Sequence, residues 1–210
     1  MIRRFVVAVC LSVAAAVLSP ALRAAEILIA GTGGSPPVTQ SSFVGLLSGG
    51  NTYATSFSVP VGPSYALAHL QLAAFHYTGN GGSAIFTISA NAAGLPGSAL
   101  ETFNVSTVEA LTEATAGFTV APASPLILNG GQKYWITGRS TSGQVNWVHG
   151  FGAFGETAFS NGTSWQLSPG SNLPAFAVLG DAVPEPGTVV LVAIALGAMW
   201  LPRRGGSLGR

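Results

Sequence analysis

Short stretches in which apolar and polar residues alternate recur along the middle of the chain, and turn-forming residues separate them. In one stretch, Phe86 and Ile88 alternate with Thr87 and Ser89. A period of two is typical of a β-strand that buries one face. The pattern predicts strands over residues 53–59, 65–77, 84–90, 99–105, 117–120, 126–128, 133–139, 145–149, 164–167 and 175–179.

The turns between these stretches indicate how the strands are joined. Asn129-Gly130-Gly131 predicts a hairpin, because glycine supplies the positive φ of a tight turn, and Asn161-Gly162-Thr163 predicts another. A helical pattern is found in the body only over residues 108–114. Residues 26–182 are long enough for one domain with its own core. The prediction is an all-β domain, an antiparallel β-sandwich of jelly-roll type.

The first 25 residues have a different pattern from the body. Two arginines precede an uncharged apolar run over residues 5–18, and small residues follow it. This order predicts a secretory signal peptide over residues 1–25, cleaved after Ala24 or Ala25. The single cysteine, Cys10, lies within it. The fold of the exported part therefore cannot depend on a disulfide.

The last residues, 183–210, combine three features in a fixed order. Val183-Pro184-Glu185-Pro186 is followed by an uncharged apolar stretch over residues 187–201, and then by Arg203 and Arg204. As a helix the apolar stretch would be about 22 Å long. It would cross the roughly 30 Å hydrocarbon core only with local thinning or with the arginines reaching back to the interface. The tail therefore predicts a C-terminal transmembrane helix preceded by an extended segment.

This tail resembles the PEP-CTERM sorting signal of Gram-negative bacteria, which consists of a Pro-Glu-Pro motif, one hydrophobic helix and a short basic end. The resemblance rests on Pro184, Glu185 and Pro186, and on Arg203 and Arg204 after the helix. It implies recognition by an exosortase, an integral membrane transpeptidase-like enzyme, in an organism that makes extracellular polysaccharide. The alternative is a plain C-terminal anchor with an incidental Pro-Glu-Pro.

A second resemblance covers most of the body. Residues 64–67, 70–72, 95–100, 128–135 and 173–178 are similar to the choice-of-anchor R domain. That family is named for an exported domain that occurs with different surface-attachment signals. The resemblance implies no known activity.

Charge changes the picture once the two ends are set aside. Six of the eight basic residues lie in the predicted targeting segments, which leaves Lys133 and Arg139 against seven acidic residues when Glu185 of the tail motif is counted with the exported part. The exported part thus has a formal charge of −5. A chain without a basic patch does not suit phosphate backbones, so nucleic-acid partners are excluded.

Candidate catalytic and metal-binding patterns are sparse. Residues 150–155 match G-x-G-x-x-G, but no helical pattern follows, so a glycine- and aromatic-rich loop is expected instead of a dinucleotide site. Glu101, Glu109, Glu113 and Glu156 would supply an acid and a base only if two of them flanked one glycosidic bond. His69 and His76 are an odd number of residues apart on one predicted strand and would face opposite sides. The sequence predicts no catalytic residue, no cofactor and no metal site.

Aromatic residues offer the one candidate binding surface. Trp147 and Trp165 flank a stretch that also contains Phe151, Phe154 and Phe159. Exposed aromatic faces stack on sugar rings, and Trp147 and Trp165 are therefore a candidate ligand platform. The alternative is that these rings fill the core of the sandwich.

Together these patterns predict a non-enzymatic structural or adhesive protein of the cell envelope or extracellular matrix, sorted by an exosortase-type system. A carbohydrate-binding module for extracellular polysaccharide is the alternative function. A secreted glycosidase is the third.

Overall fold

The computed structural model describes residues 26–32, 43–47, 50–76, 82–108 and 117–184. These residues form twelve antiparallel strands and no helix. The strands are β1 (Ile27–Gly31), β2 (Phe43–Leu46), β3 (Thr52–Ser58), β4 (Tyr65–His76), β5 (Gly82–Ala92), β6 (Leu95–Val108), β7 (Gly117–Val120), β8 (Ile127–Leu128), β9 (Lys133–Ser142), β10 (Val145–Ser160), β11 (Trp165–Pro174) and β12 (Phe176–Ala182). The predicted all-β, antiparallel class is confirmed.

All ten predicted strands are present, and the differences concern their ends and two additional strands. The greatest extension is in β10, which continues from the predicted 145–149 to Ser160. The sequence pattern missed β1 and β2, which are five and four residues long. The helical interpretation of residues 108–114 is wrong at its start, because Val108 is the last residue of β6. The rest of that segment lies outside the described residues.

The strands join into one sheet in the order β1-β12-β4-β10-β3-β9-β5-β6, to which β2, β7, β8 and β11 are added at the sides. The long strand β10 connects the two halves. Its beginning pairs with β4 and β2, and its end pairs with β3 and β11. Phe57 on β3 and Phe176 on β12 are apart in this order, yet their ring centroids are 6.1 Å apart. The sheet therefore curls around a shared core.

The core is built from the alternate residues that the period-two pattern places on one face. Leu70, Phe86 and Trp147 are fully buried in it. The Trp147 ring meets the Phe86 ring edge-on at 5.1 Å, and its indole nitrogen donates to the Ala175 carbonyl at 3.1 Å. A Cβ at Gly138 would lie 2.8 Å from the Phe86 ring. Glycine at this position therefore makes room for the two rings.

The two predicted hairpins have different outcomes. Asn161-Gly162-Thr163 joins β10 to β11, and Ser160 pairs with Trp165, which confirms that hairpin. At Asn129-Gly130-Gly131 the turn is present, with φ of +72° at Gly131, but the hairpin is wrong. The strand before it, β8, pairs with β4, whereas the strand after it, β9, pairs with β3 and β5. The turn carries the chain from one part of the sheet to another.

The first and last strands lie side by side. β1 pairs with β12, with Ile27 opposite Gly180, and the Val183 amide donates to the Ser64 carbonyl at 2.8 Å. The chain thus enters and leaves the sheet at one end of this strand pair. All strands of the described residues fall within 27–182, while the predicted boundaries at 25 and 183 stay predictions.

A helix long and apolar enough to cross a membrane is not found among the described residues. The predicted signal peptide over residues 1–25 lies outside them, as does the apolar stretch over residues 187–201.

Candidate ligand-binding groove

The two tryptophans of the predicted ligand platform lie in different environments. Trp147 is 0% exposed and belongs to the main core, so no face of its ring is open to a ligand. Trp165 is partly buried against a separate cluster formed by Ala54, Trp135 and Ala158. Trp147 and Trp165 therefore do not form one exposed platform, which corrects that prediction. Trp147 instead packs in the core, which was the alternative interpretation of these rings.

A groove of about 330 Å³ lies elsewhere on the same strands. It is formed where β3, β10 and β11 run side by side. Its lining residues are Tyr53, His149, Thr157, Ala158, Phe159, Ser168, Ser171 and Asn172. This volume falls at the lower end of the range of small-molecule sites, which begins at about 300 Å³.

Two aromatic rings form the apolar part of the groove. Tyr53 on β3 and Phe159 on β10 are directly opposite in the strand register, so their side chains share one face of the sheet. Their ring centroids are 5.2 Å apart and the rings are tilted by 55°. Both residues are only partly buried, so each leaves ring surface open to the groove.

The polar side of the groove depends on a β-bulge. Residues three apart on a regular strand face opposite sides, yet the Ser168 and Ser171 hydroxyls are 2.8 Å apart. The register of β10 and β11 shifts between Gly155 and Glu156, opposite Gly170, whose φ is +74°. The extra residue in β11 brings both serines to the groove.

Neighbouring groups extend this polar side. The Thr157 hydroxyl donates to the Ser168 carbonyl at 3.0 Å, and Asn172 is exposed beside the serines. The groove therefore presents hydroxyls and one amide, which can both donate and accept hydrogen bonds. Among the described lining residues there is no Asp, Glu, Lys or Arg.

The nearest carboxylate in sequence, Glu156, is committed to another contact. It forms an ion pair with Lys133 and accepts a hydrogen bond from the Ser56 hydroxyl at 3.4 Å. The hydrogen bond from Lys133 lowers the pKa of Glu156, and partial burial opposes this only in part. A carboxyl group with a lowered pKa stays ionised at neutral pH and does not suit the role of a general acid.

Glu101 and Glu156 are not brought together. Glu101 lies on β6 and accepts a hydrogen bond from the Ala123 amide at 3.2 Å, whereas Glu156 lies on β10. Three strands, β3, β9 and β5, separate β10 from β6. Each of the two carboxylates thus has a partner of its own, and Glu109 and Glu113 lie outside the described residues.

The histidines are dispersed. His69 pairs with Glu26 at 3.2 Å, His76 is buried at the end of β4, and His149 borders the groove. Within the described ranges, no group of three or more His, Cys, Asp or Glu side chains could hold a metal ion.

The G-x-G-x-x-G stretch over residues 150–155 is strand, not the expected loop, and lies inside β10. A Cβ at Gly150 would lie 2.5 Å from the Cβ of Thr32. The Thr32 hydroxyl donates to the Pro174 carbonyl and accepts from the Phe176 amide, both at 3.0 Å. Glycine at position 150 therefore allows close packing of the chain.

The sorting-signal residues are only partly described. Val183 is hydrogen-bonded to Ser64, and Pro184 is exposed. Glu185, Pro186, Arg203 and Arg204 lie outside the described residues.

Comparison of the chain with protein-family models, with curated proteins and with solved structures gave no match.

Proposed function

We propose that the chain is an exported structural or adhesive protein of the cell envelope or extracellular matrix of a Gram-negative bacterium. Its signal peptide would direct export, and residues 183–210 would be recognised by an exosortase-like membrane enzyme. The observation that carries the proposal is that the sheet ends directly before the motif in the sequence. The sheet ends at Ala182, and the hydrogen bond from Val183 to Ser64 holds the chain immediately before Pro184.

This position fits a protein held close to a membrane. Gly187, where the apolar stretch begins, is four residues after Val183. A fully extended chain of four residues spans at most about 14 Å. The strand end that is bonded to Ser64 would thus lie close to the bilayer surface, with no long linker between body and anchor.

We also propose that the curled sheet is a two-layer sandwich of jelly-roll type. Ring contacts between strands that are apart in the sheet order support it. Phe57 on β3 meets Phe176 on β12, and Phe86 on β5 meets Phe118 on β7 at 5.7 Å. Packing of two inner faces across a core is the arrangement of a sandwich. An experimental structure in which β3 and β12 face away from each other would contradict it.

Carbohydrate binding is a second candidate function, and the groove between β3, β10 and β11 favours it. Aromatic rings combined with uncharged hydrogen-bonding groups suit a saccharide. The third candidate, a secreted glycosidase, receives no comparable support, because Glu101 and Glu156 are on separated strands.

The sorting proposal is tested by expressing the full chain in a Gram-negative host with and without an exosortase. We expect the wild-type chain to lose its tail only in the host with the enzyme, as measured by intact mass after fractionation. Glu185→Ala leaves the apolar stretch unchanged, so it should still enter the membrane but keep its tail. Deletion of residues 187–210 should release the protein in soluble form. Normal maturation of Glu185→Ala would instead support the plain anchor.

A further inference from the structure

The groove lined by Tyr53, Thr157, Phe159, Ser168, Ser171 and Asn172 takes no part in the proposed sorting of the chain. We propose that it is a binding site for an uncharged saccharide unit of a polysaccharide. This inference rests on the proposed carbohydrate-binding function, to which it adds the location of the site and the class of ligand.

The apolar side of the groove suits the C–H face of a sugar ring. Tyr53 and Phe159 are fixed in position by the β3–β10 register, and each is partly exposed. Rings held by a sheet lose little freedom when a ligand binds, so less of the binding energy is spent on ordering them.

The polar side suits sugar hydroxyls. The Ser168 and Ser171 hydroxyls share one hydrogen bond, which leaves further lone pairs for a ligand. Asn172 adds an amide with two donors and one acceptor oxygen. Sugar hydroxyls also both donate and accept, so the two sets of groups are complementary.

The absence of Asp, Glu, Lys and Arg among the described lining residues selects the class of saccharide. A uronic acid, a sulfated sugar or a phosphate would bring an anion into a groove where no described lining residue is Lys or Arg. Removing such an anion from water without a partner costs free energy. The site therefore favours neutral sugars over acidic ones.

The position of the groove fits a polysaccharide outside the cell. His149 pairs with Pro174, which precedes the first residue of β12 by two positions. The other end of β12, Ala182, lies six residues after its first residue, and the predicted anchor follows that end. At about 3.3 Å per residue, β12 places some 20 Å between that end of the groove and the start of the anchor.

The test uses the full-length chain, solubilised in a detergent without a sugar head group and applied to an array of neutral, uronic-acid-containing and sulfated oligosaccharides. We expect saturable binding to neutral oligosaccharides alone. Asn172→Ala and Ser171→Ala should each weaken that binding about tenfold, as expected when one hydrogen bond to a ligand is lost. Leu167→Ala is the matched control on β11, because Leu167 is 51% exposed and does not line the groove.

Three results would overturn the inference. Binding to acidic oligosaccharides only would keep a carbohydrate-binding function but reject the neutral ligand. Equal binding by Asn172→Ala, Ser171→Ala and Leu167→Ala would move the site away from the groove. No binding to any oligosaccharide would reject both the groove as a sugar site and the carbohydrate-binding function. Membrane processing of the chain, which is measured separately, would be unaffected. Circular dichroism of each variant verifies that the fold is retained.

Discussion

Individual residues on the outer side of the sheet form a compact polar and aromatic cluster. Trp135 is fully buried, although it belongs to a cluster separate from the main core, and its indole nitrogen donates to the Asn91 side chain at 3.0 Å. The Lys133 ammonium lies 5.2 Å from the centre of the Trp135 ring and pairs with Glu156. The Lys133 ammonium therefore lies over an aromatic ring and also neutralises a carboxylate.

The ion pair predicts a pH-dependent contribution to stability. Lys133 lowers the pKa of Glu156 below its ordinary value of 4.5, so the folded state favours the ionised carboxylate. This stabilisation is present above about pH 4.5 and is lost as the pH falls through the lowered pKa. Because the pair is partly exposed, we expect Glu156→Gln to reduce the free energy of unfolding by under about 1 kcal/mol at pH 7.

Urea unfolding of residues 26–184 at pH 7 and at pH 3 measures this effect. The difference between wild type and Glu156→Gln should shrink at the lower pH. Lys133→Met removes the charge but keeps the apolar stem. The double variant should lose no more free energy of unfolding than the two single variants lose together, because both changes break the same ion pair. A larger loss at pH 3 than at pH 7 would contradict the assigned cause of the pKa shift.

At the scale of the structural elements, the turn that joins β5 to β6 has a locally strained backbone. Ala93 and Gly94 have φ values of +51° and +86°, and Ala92 pairs with Leu95 on either side of them. Positive φ at both central residues is the mark of a two-residue type I′ turn. Ala93 is the one non-glycine residue with positive φ among the described parts of the chain, and an L-residue with a Cβ is disfavoured there.

We therefore expect Ala93→Gly to raise the free energy of unfolding by about 0.5–1 kcal/mol, since glycine adopts positive φ without the steric cost. The matched control is Ala99→Gly, an exposed position of β6 without positive φ, which should instead lose about 0.5–1 kcal/mol. Urea unfolding of both variants measures these two changes in the free energy of unfolding. Destabilisation of Ala93→Gly to the same extent as Ala99→Gly would show that the turn carries no strain.

The strands were predictable from the sequence because each depends on a local pattern, whereas their partners were not. The alternation around Phe86 is visible in any strand that buries one face. The turn at Asn129-Gly130-Gly131 was also correctly located, because positive φ at Gly131 is a local requirement. Whether β8 then pairs with β9 or with β4 depends on which side chains are buried together, and Leu128 is fully buried opposite Tyr65. Local turn chemistry contains no information on that choice.

The same distinction applies to the groove and the tryptophans. Trp147 and Trp165 were chosen for residue type, but burial separates them. Apart from Phe159, the groove residues were missed because they come from three strands and because a bulge places Ser168 beside Ser171. The Ser-Pro-Gly-Ser sequence over residues 168–171 was the available signal, since glycine within a strand often marks a bulge.

At the scale of the whole molecule, the two ends of the body stabilise each other. β1 covers the edge of β12, and its Ile29 is buried in the main core. Thr32, just after β1, accepts a hydrogen bond from the Phe176 amide and donates to the Pro174 carbonyl. The segment that directly follows the predicted signal peptide is therefore part of the fold, so cleavage must leave β1 intact.

The last prediction follows from this closure of the sheet. Residues 26–184 contain every strand and the bond from Val183 to Ser64, so we expect this fragment to fold alone, with a β-dominated far-UV circular dichroism spectrum. Residues 33–184 lack β1 and lose the burial of Ile29 and several hydrogen bonds of Thr32, among them the two that its hydroxyl forms with Pro174 and with the Phe176 amide. Burial of the Ile29 side chain contributes roughly 2 kcal/mol, and each of the two hydroxyl hydrogen bonds contributes about 1 kcal/mol. The shorter fragment should therefore be less stable by about 4 kcal/mol. Urea unfolding of the two fragments measures the difference. Equal stability would show that β1 is dispensable, and a helix content of a third or more in residues 26–184 would reject the antiparallel sheet itself.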